Sequence, residues 1–137
     1  MSSDAVRAAL TDHPGDQGAS AEAFQILALI VNGRLRRRLM TVIDATNLGA
    51  ANRKKYATLA ARYGVPTVAI AFDLPLSAYL ARNAARPDRI VDERVVDDQA
   101  ARMADVLADL AEESYGAFHV LTADTGPELD VVRRRRP

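Results

Sequence analysis

No cysteine occurs in the 137 residues, so disulfides and thiolate metal sites are excluded, and a reducing compartment is compatible with the chain. Histidine occurs only as His13 and His119, which stand far apart without a ligand-like pattern, so a histidine zinc site is not expected. Lysine is confined to Lys54 and Lys55, and neither follows a glycine. The sequence therefore holds no G-x-x-x-x-G-K-[ST] loop, the pattern whose backbone N–H groups and ammonium surround a phosphate chain. Formal net charge is zero, so no global field drives the molecule onto nucleic acid or an acidic membrane, and any such contact must be local. The first residues lack the basic stretch, apolar run and small-residue cleavage site of a secretory leader. The apolar run around Ile26–Val31 falls far short of a membrane span, and a cytoplasmic location is the expectation.

What is present describes a soluble folded domain. Hydrophobic residues make up 49% and charged residues 26%, and the length suits one domain with a real core. Ser2-Ser3-Asp4 can open a short helix reaching Leu10, because a small polar residue there accepts the first free N–H groups. Pro14, Gly15 and Gly18 mark a loop. Phe24, Ile26, Leu27, Ile30, Val31 and Leu35 follow Ser20 at helical spacing, with Asn32-Gly33 a point of fraying. Met40–Ala45 is a short apolar run of the kind that forms an inner parallel strand, and Thr67–Phe72 and Ala117–Thr122 are two more. Between them, helices are predicted over Ala50–Tyr63 (stopped by Gly64), from Pro75 to about Asn83, and over Val95–Ser114. Alternating strand and helix argues for an α/β layer fold with a parallel sheet.

In such a sheet, ligands collect beyond the carboxyl ends of the strands. Asp44 and Asp73 sit at two such ends, and Asp4 opens a helix. Asp44 has the apolar-run-then-acid form of a strand whose carboxylate orients Mg²⁺, although an aspartate there can also serve only as a turn cap. Asp4 reads equally as a helix cap, with Arg7 one turn along, and Asn47 and Arg53 read as a turn residue and a surface helix residue. From Arg82 to Arg94, the guanidiniums of Arg82, Arg86, Arg89 and Arg94 cluster around Pro87. Several such forks on one segment suit phosphoryl oxygens, while Asp88, Asp92 and Glu93 offer the plainer reading of surface ion pairs.

Taken in order, these segments resemble a known family. Ser2-Ser3-Asp4 with Arg7, Asp16-Gln17-Gly18 before a long helix, Val42-Ile43-Asp44-Ala45-Thr46-Asn47, Ala69-Ile70-Ala71-Phe72-Asp73 and Arg82-Asn83-Ala84-Ala85-Arg86-Pro87-Asp88-Arg89 look like the kinase domain of bacterial polynucleotide kinase-phosphatases and related P-loop kinases. The resemblance runs from Ser2 to about Val132. It implies a P-loop NTPase-like three-layer α/β fold, a parallel sheet with helices on both faces, here without the first strand and its phosphate loop. Residues 1–132 would form this partial kinase domain and residues 133–137 a basic tail.

By the same resemblance, Asp4 would be the general base for the acceptor hydroxyl, and Arg7 and Gln17 would lie on the acceptor side. Arg82, Arg86 and Arg89 would be lid arginines over the donor phosphates, and Asp44 would be the Mg²⁺-orienting acid. ATP and Mg²⁺ would be the cofactors, and a nucleic-acid 5′-hydroxyl end or another hydroxyl the acceptor. Ala81 and Ala84 depart from the glutamate and arginine usual in the family's lid. Without the phosphate loop the chain would be an N-terminally truncated, inactive phosphotransferase. It would also lack the strand that pairs between its own first and second, leaving ladder groups without partners or forcing those two strands together. Two other readings stay open: a non-catalytic interaction protein on a decayed kinase fold, and a metal-dependent nuclease built on Asp4, Asp44 and Asp73.

Overall fold

A computed structural model describes residues 1–86 and 90–124. Helix α1 spans Ser3–Thr11, and Ser2 is its cap, its hydroxyl accepting the Asp4 N–H at 3.2 Å. Asp12, left-handed at φ 59°, ends the helix with its N–H on the Ala8 carbonyl. Ser2→Ala is expected to lower stability by about 1 kcal/mol, read as a shift of the urea midpoint at unchanged slope. After a 3₁₀ turn at Gln17–Ala19, capped by the Asp16 carboxylate on the Gly18 N–H, α2 runs Ser20–Arg36 without a break. The Asn32-Gly33 step does not fray, because Asn32 Oδ1 accepts the Tyr63 hydroxyl at 2.7 Å and ties the helix to the end of α3.

The buried stripe Ala23, Leu27, Val31, Leu35 of α2 forms the main core with Val6 of α1 and with Tyr56 and Ala60 of α3, which spans Ala50–Arg62. The stop after α3 is a Schellman turn: the Val65 N–H reaches the Ala60 carbonyl and the Gly64 N–H the Ala61 carbonyl. Gly64 sits at φ 59°, which is why glycine stands there.

A smaller core surrounds two parallel strands, β1 (Val68–Phe72) and β2 (Ala117–Leu121), in register from Val68↔Ala117 to Phe72↔Leu121. The chain returns from one to the other through α4 (Leu76–Ala84), α5 (Glu93–Ala101) and α6 (Met103–Glu112). The helix predicted over Val95–Ser114 is thus two, divided at Arg102. Ala71 packs on Val106 and Leu110 of α6, with Ala69, Phe118 and Leu48 alongside. The opposite side of β1 carries Val68, Ile70 and Phe72, which remain 57%, 59% and 50% exposed. Mixed α/β architecture with a parallel sheet is the class expected from the alternation of elements.

One predicted strand is not there. Residues 40–45 were expected as a buried inner strand, yet Met40 is 77% and Val42 61% exposed, and among the described residues the segment's β-pairing is the single bridge of Asp44, parallel to Ser2. Among the described residues, backbone bonds tie this segment to residues 1–3: Met1 N to Val42 O, Asp44 N to Met1 O, and Ser3 N to Asp44 O. A parallel strand becomes an inner one only with partners on both edges and layers on both faces, and among the described residues one edge is filled. Among the described residues no helix is long and apolar enough to cross a membrane.

Candidate functional site

The Ser2–Asp44 bridge brings two acids to one rim. Asp44 closes its extended segment beside Ser2, and Asp4 follows two residues later in the first turn of α1. The Asp4 carboxylate is then gripped on both oxygens. Arg7 Nη2 donates to Oδ1 from one turn along the same helix, and Arg86 Nη2, beyond the end of α4, donates to Oδ2 at 3.3 Å. Arg7 is 5% exposed and its Nε donates to the Pro14 carbonyl at 3.0 Å, so the loop after α1 fixes its direction. Arg86 is 41% exposed. Three of the residues singled out in the sequence therefore meet across 82 positions of chain.

The others are placed differently. Arg82 lies exposed on α4, four residues before Arg86. Arg89 and the tail at 133–137 lie outside the described residues. Gln17 spends its amide on its own turn, accepting the Ser20 hydroxyl at 3.2 Å and leaning toward the Gly15 carbonyl at 3.5 Å. Asp73 ends β1 with its N–H on the Leu121 carbonyl. Among the described residues, Asp4, Asp44 and Asp73 make no cluster able to hold a metal, which removes the geometric basis of the nuclease reading. Asp44 is an exposed carboxylate and fits Mg²⁺ in the limited way that one protein carboxylate does when phosphates and water supply the remaining ligands. The triphosphate cradle itself finds no counterpart in the 137 residues.

Arg53, expected on the surface of its helix, is 6% exposed and carries a dense set of hydrogen bonds. Its Nη1 donates to the Asn47 and Leu48 carbonyls at 2.9 and 2.7 Å. Its Nε and Nη2 donate to Glu113 at 2.9 and 2.6 Å, and Nη2 also reaches Asp109 at 3.2 Å. The loop that follows Asp44 is thereby pinned to the end of α6. Hydrogen bonding to Glu113 raises the Arg53 pKa further, against the opposing effect of its burial. Burial, with Glu113 nearby, also raises the Tyr115 hydroxyl. A signal for Arg53 was present: it stands three residues before Tyr56 and seven before Ala60, on the buried stripe of α3. Asn47 holds a left-handed φ of 46°, as its reading as a turn residue requires, and its Oδ1 is buried without a protein partner among the described residues.

A search of curated proteins gives no match. A family model, described as an AAA domain, matches residues 1–108, a span that contains Asp4, Arg7, Gln17, Asp44, Arg82, Arg86 and Arg89 and ends short of β2. With most of its length under that match and the α/β architecture to go with it, the chain belongs to the AAA domain family, of P-loop kinase type.

Proposed function

We propose that this chain is the acceptor-and-lid portion of an ATP-dependent phosphotransferase whose acceptor is a hydroxyl, foremost the 5′-hydroxyl of a nucleic acid. It is inactive as it stands for want of a phosphate-binding loop. The observation that carries the reading is the Asp4 carboxylate held between Arg7 and Arg86 on the rim that Asp44 shares. In this reading Asp4 takes the proton of the acceptor hydroxyl as its oxygen attacks phosphorus. Arg7 keeps the carboxylate aimed, and Arg82, Arg86 and Arg89 neutralise the charge that grows on the transferring oxygens. Asp44 would hold Mg²⁺. ATP supplies the phosphoryl group and leaves as ADP, and the proton ends on Asp4.

The bare face of β1 supports the idea of a missing strand-loop-helix unit of roughly 20–30 residues, because a parallel strand is normally covered on both sides. Calorimetry on the 137-residue chain is expected to show no ATP binding tighter than about 1 mM. Clear saturation below that concentration overturns the reading, since it would mean that a cradle exists elsewhere in the molecule.

A further inference from the structure

The loop between α1 and the 3₁₀ turn holds one peptide plane from both ends. Residues 13–16 form a β-turn, closed by the Asp16 N–H on the His13 carbonyl at 3.2 Å, with Pro14 and Gly15 at its centre. The Gly15 N–H donates to Nδ1 of His13 at 3.1 Å. The carbonyl of the same peptide unit, that of Pro14, accepts Nε of the buried Arg7 at 3.0 Å. A backbone N–H can only donate, so Nδ1 offers its lone pair and the proton of the neutral ring sits on Nε2. Because the peptide unit is planar, its N–H cannot turn away without carrying the carbonyl along. The described residues of positive φ are Asp12, Arg38, Asn47 and Gly64, which leaves Gly15 on the negative side and makes the turn type I. Pro-Gly at the centre suits type II as well, since proline presets the first φ and glycine accepts the positive φ that the second position then needs. The two turn types differ by a half-turn of that central plane and keep the same closing bond.

We propose that the Pro14–Gly15 peptide is a proton-driven flip switch: with His13 neutral the turn is type I and Pro14 braces Arg7, and with His13 protonated the plane turns over to type II. Protonation puts a hydrogen on Nδ1, which then faces the Gly15 N–H, donor against donor. The flip removes the conflict. It brings the Pro14 carbonyl to the place the N–H held, where the Nδ1 proton donates to it. One carbonyl thus passes between two cations, Arg7 in the neutral state and the imidazolium in the protonated one, and each bond is charge-assisted, so one such bond replaces another. Glycine takes up the new turn without strain. The charged side chains on the elements around the turn are Asp12 and Asp16 of the loop itself, Asp4 and Arg7 on α1, and Glu22 on α2, which lines one cleft with Asp16. All but Arg7 are carboxylates, and the test must separate their titration from that of the ring. The switch itself needs no ligand and no turnover. Its consequence for the proposed function is that acid takes away the brace that directs Arg7.

The full chain, labelled with ¹⁵N and ¹³C, is taken from about pH 8 to about pH 5, the interval in which histidine side chains change charge, and followed by NMR. The nuclear Overhauser effect between Pro14 Hα and the Gly15 N–H is weak in a type I turn and strong in type II, since the flip carries the N–H to the Hα side. It is expected to grow from weak to strong as the His13 ring signals titrate, and the Arg7 Nε–H signal is expected to shift with the same midpoint. His13→Asn puts Oδ1 where Nδ1 stood and carries no titrating group, so this chain should stay type I throughout. Gly15→Ala keeps the histidine but penalises positive φ, so its ring should titrate while the Arg7 signal stays in place. Both positions lie outside the two buried cores, and both variants should fold. An Overhauser effect that stays weak after the ring has taken its proton overturns the proposal, because the imidazole has then simply swung into solvent. So does an Arg7 shift of equal size in His13→Asn, which would trace it to the carboxylates. These signals are read without nucleotide, so failure of the proposed function leaves the switch standing.

Discussion

Arg53→Ala is expected to lower the unfolding free energy by about 3 kcal/mol, the low end of the cost of breaking a buried ion pair, because Glu113 keeps some solvent. Domains of this size are stable by only about 5–15 kcal/mol, so the loss is a large share of the whole. The substitution strands more than one group at once: the Glu113 carboxylate, and the Asn47 and Leu48 carbonyls that the guanidinium satisfied. Arg53→Lys should recover only part of the loss, since one ammonium cannot reach two carbonyls and a bidentate carboxylate from a single position. Chemical denaturation of the three chains checks this. Equal stability of the alanine and arginine forms would mean that the network in the loop after Asp44 contributes nothing to holding the fold.

The second large effect concerns Asp4 in its proposed role and uses a chain to which a phosphate loop has been added upstream, as a strand, a glycine-rich turn ending in Gly-Lys-Ser and a helix. In that enzyme Asp4→Ala should abolish measurable phosphoryl transfer, a loss on the order of 10²–10⁴-fold for removal of a general base, while ATP remains bound. Alanine also takes away the anion of a nearly buried Arg7, so lost activity alone would not separate chemistry from folding. Asp4→Asn makes the separation. Its amide oxygen still accepts from Arg7 but cannot take the acceptor proton, so turnover should fall as far as in the alanine form with less change in melting temperature. Turnover retained in Asp4→Asn would remove Asp4 from the role of base.

Much of the fold could be read from residue patterns, and the failures share a cause. Ser2 as a cap, the α2 stripe and the β1 and β2 runs depend on local spacing, which one sequence displays fully. Residues 40–45 have the same apolar character as β1, but a run of apolar residues does not reveal how many neighbours its strand has. Arg53 looked like an exposed helix residue because arginine usually is one, and its partners Asp109 and Glu113 lie more than fifty positions away. The contact between Arg86 and Asp4 is equally remote. Composition and motif order brought both residues under suspicion, but only the folded path of the chain shows one guanidinium lying against the other's carboxylate.

The long return from β1 to β2 shapes the birth of the molecule as well as its finished form. A ribosome completes β1, then must make all of α4, α5 and α6 before the partner strand exists. At roughly 5–20 residues per second, the ladder N–H and C=O groups of β1 wait several seconds for β2, beside the apolar face of Val68, Ile70 and Phe72 that stays exposed throughout. An unpaired strand edge is a template for pairing with another chain, so the interval before β2 emerges is when this polypeptide is most open to aggregation.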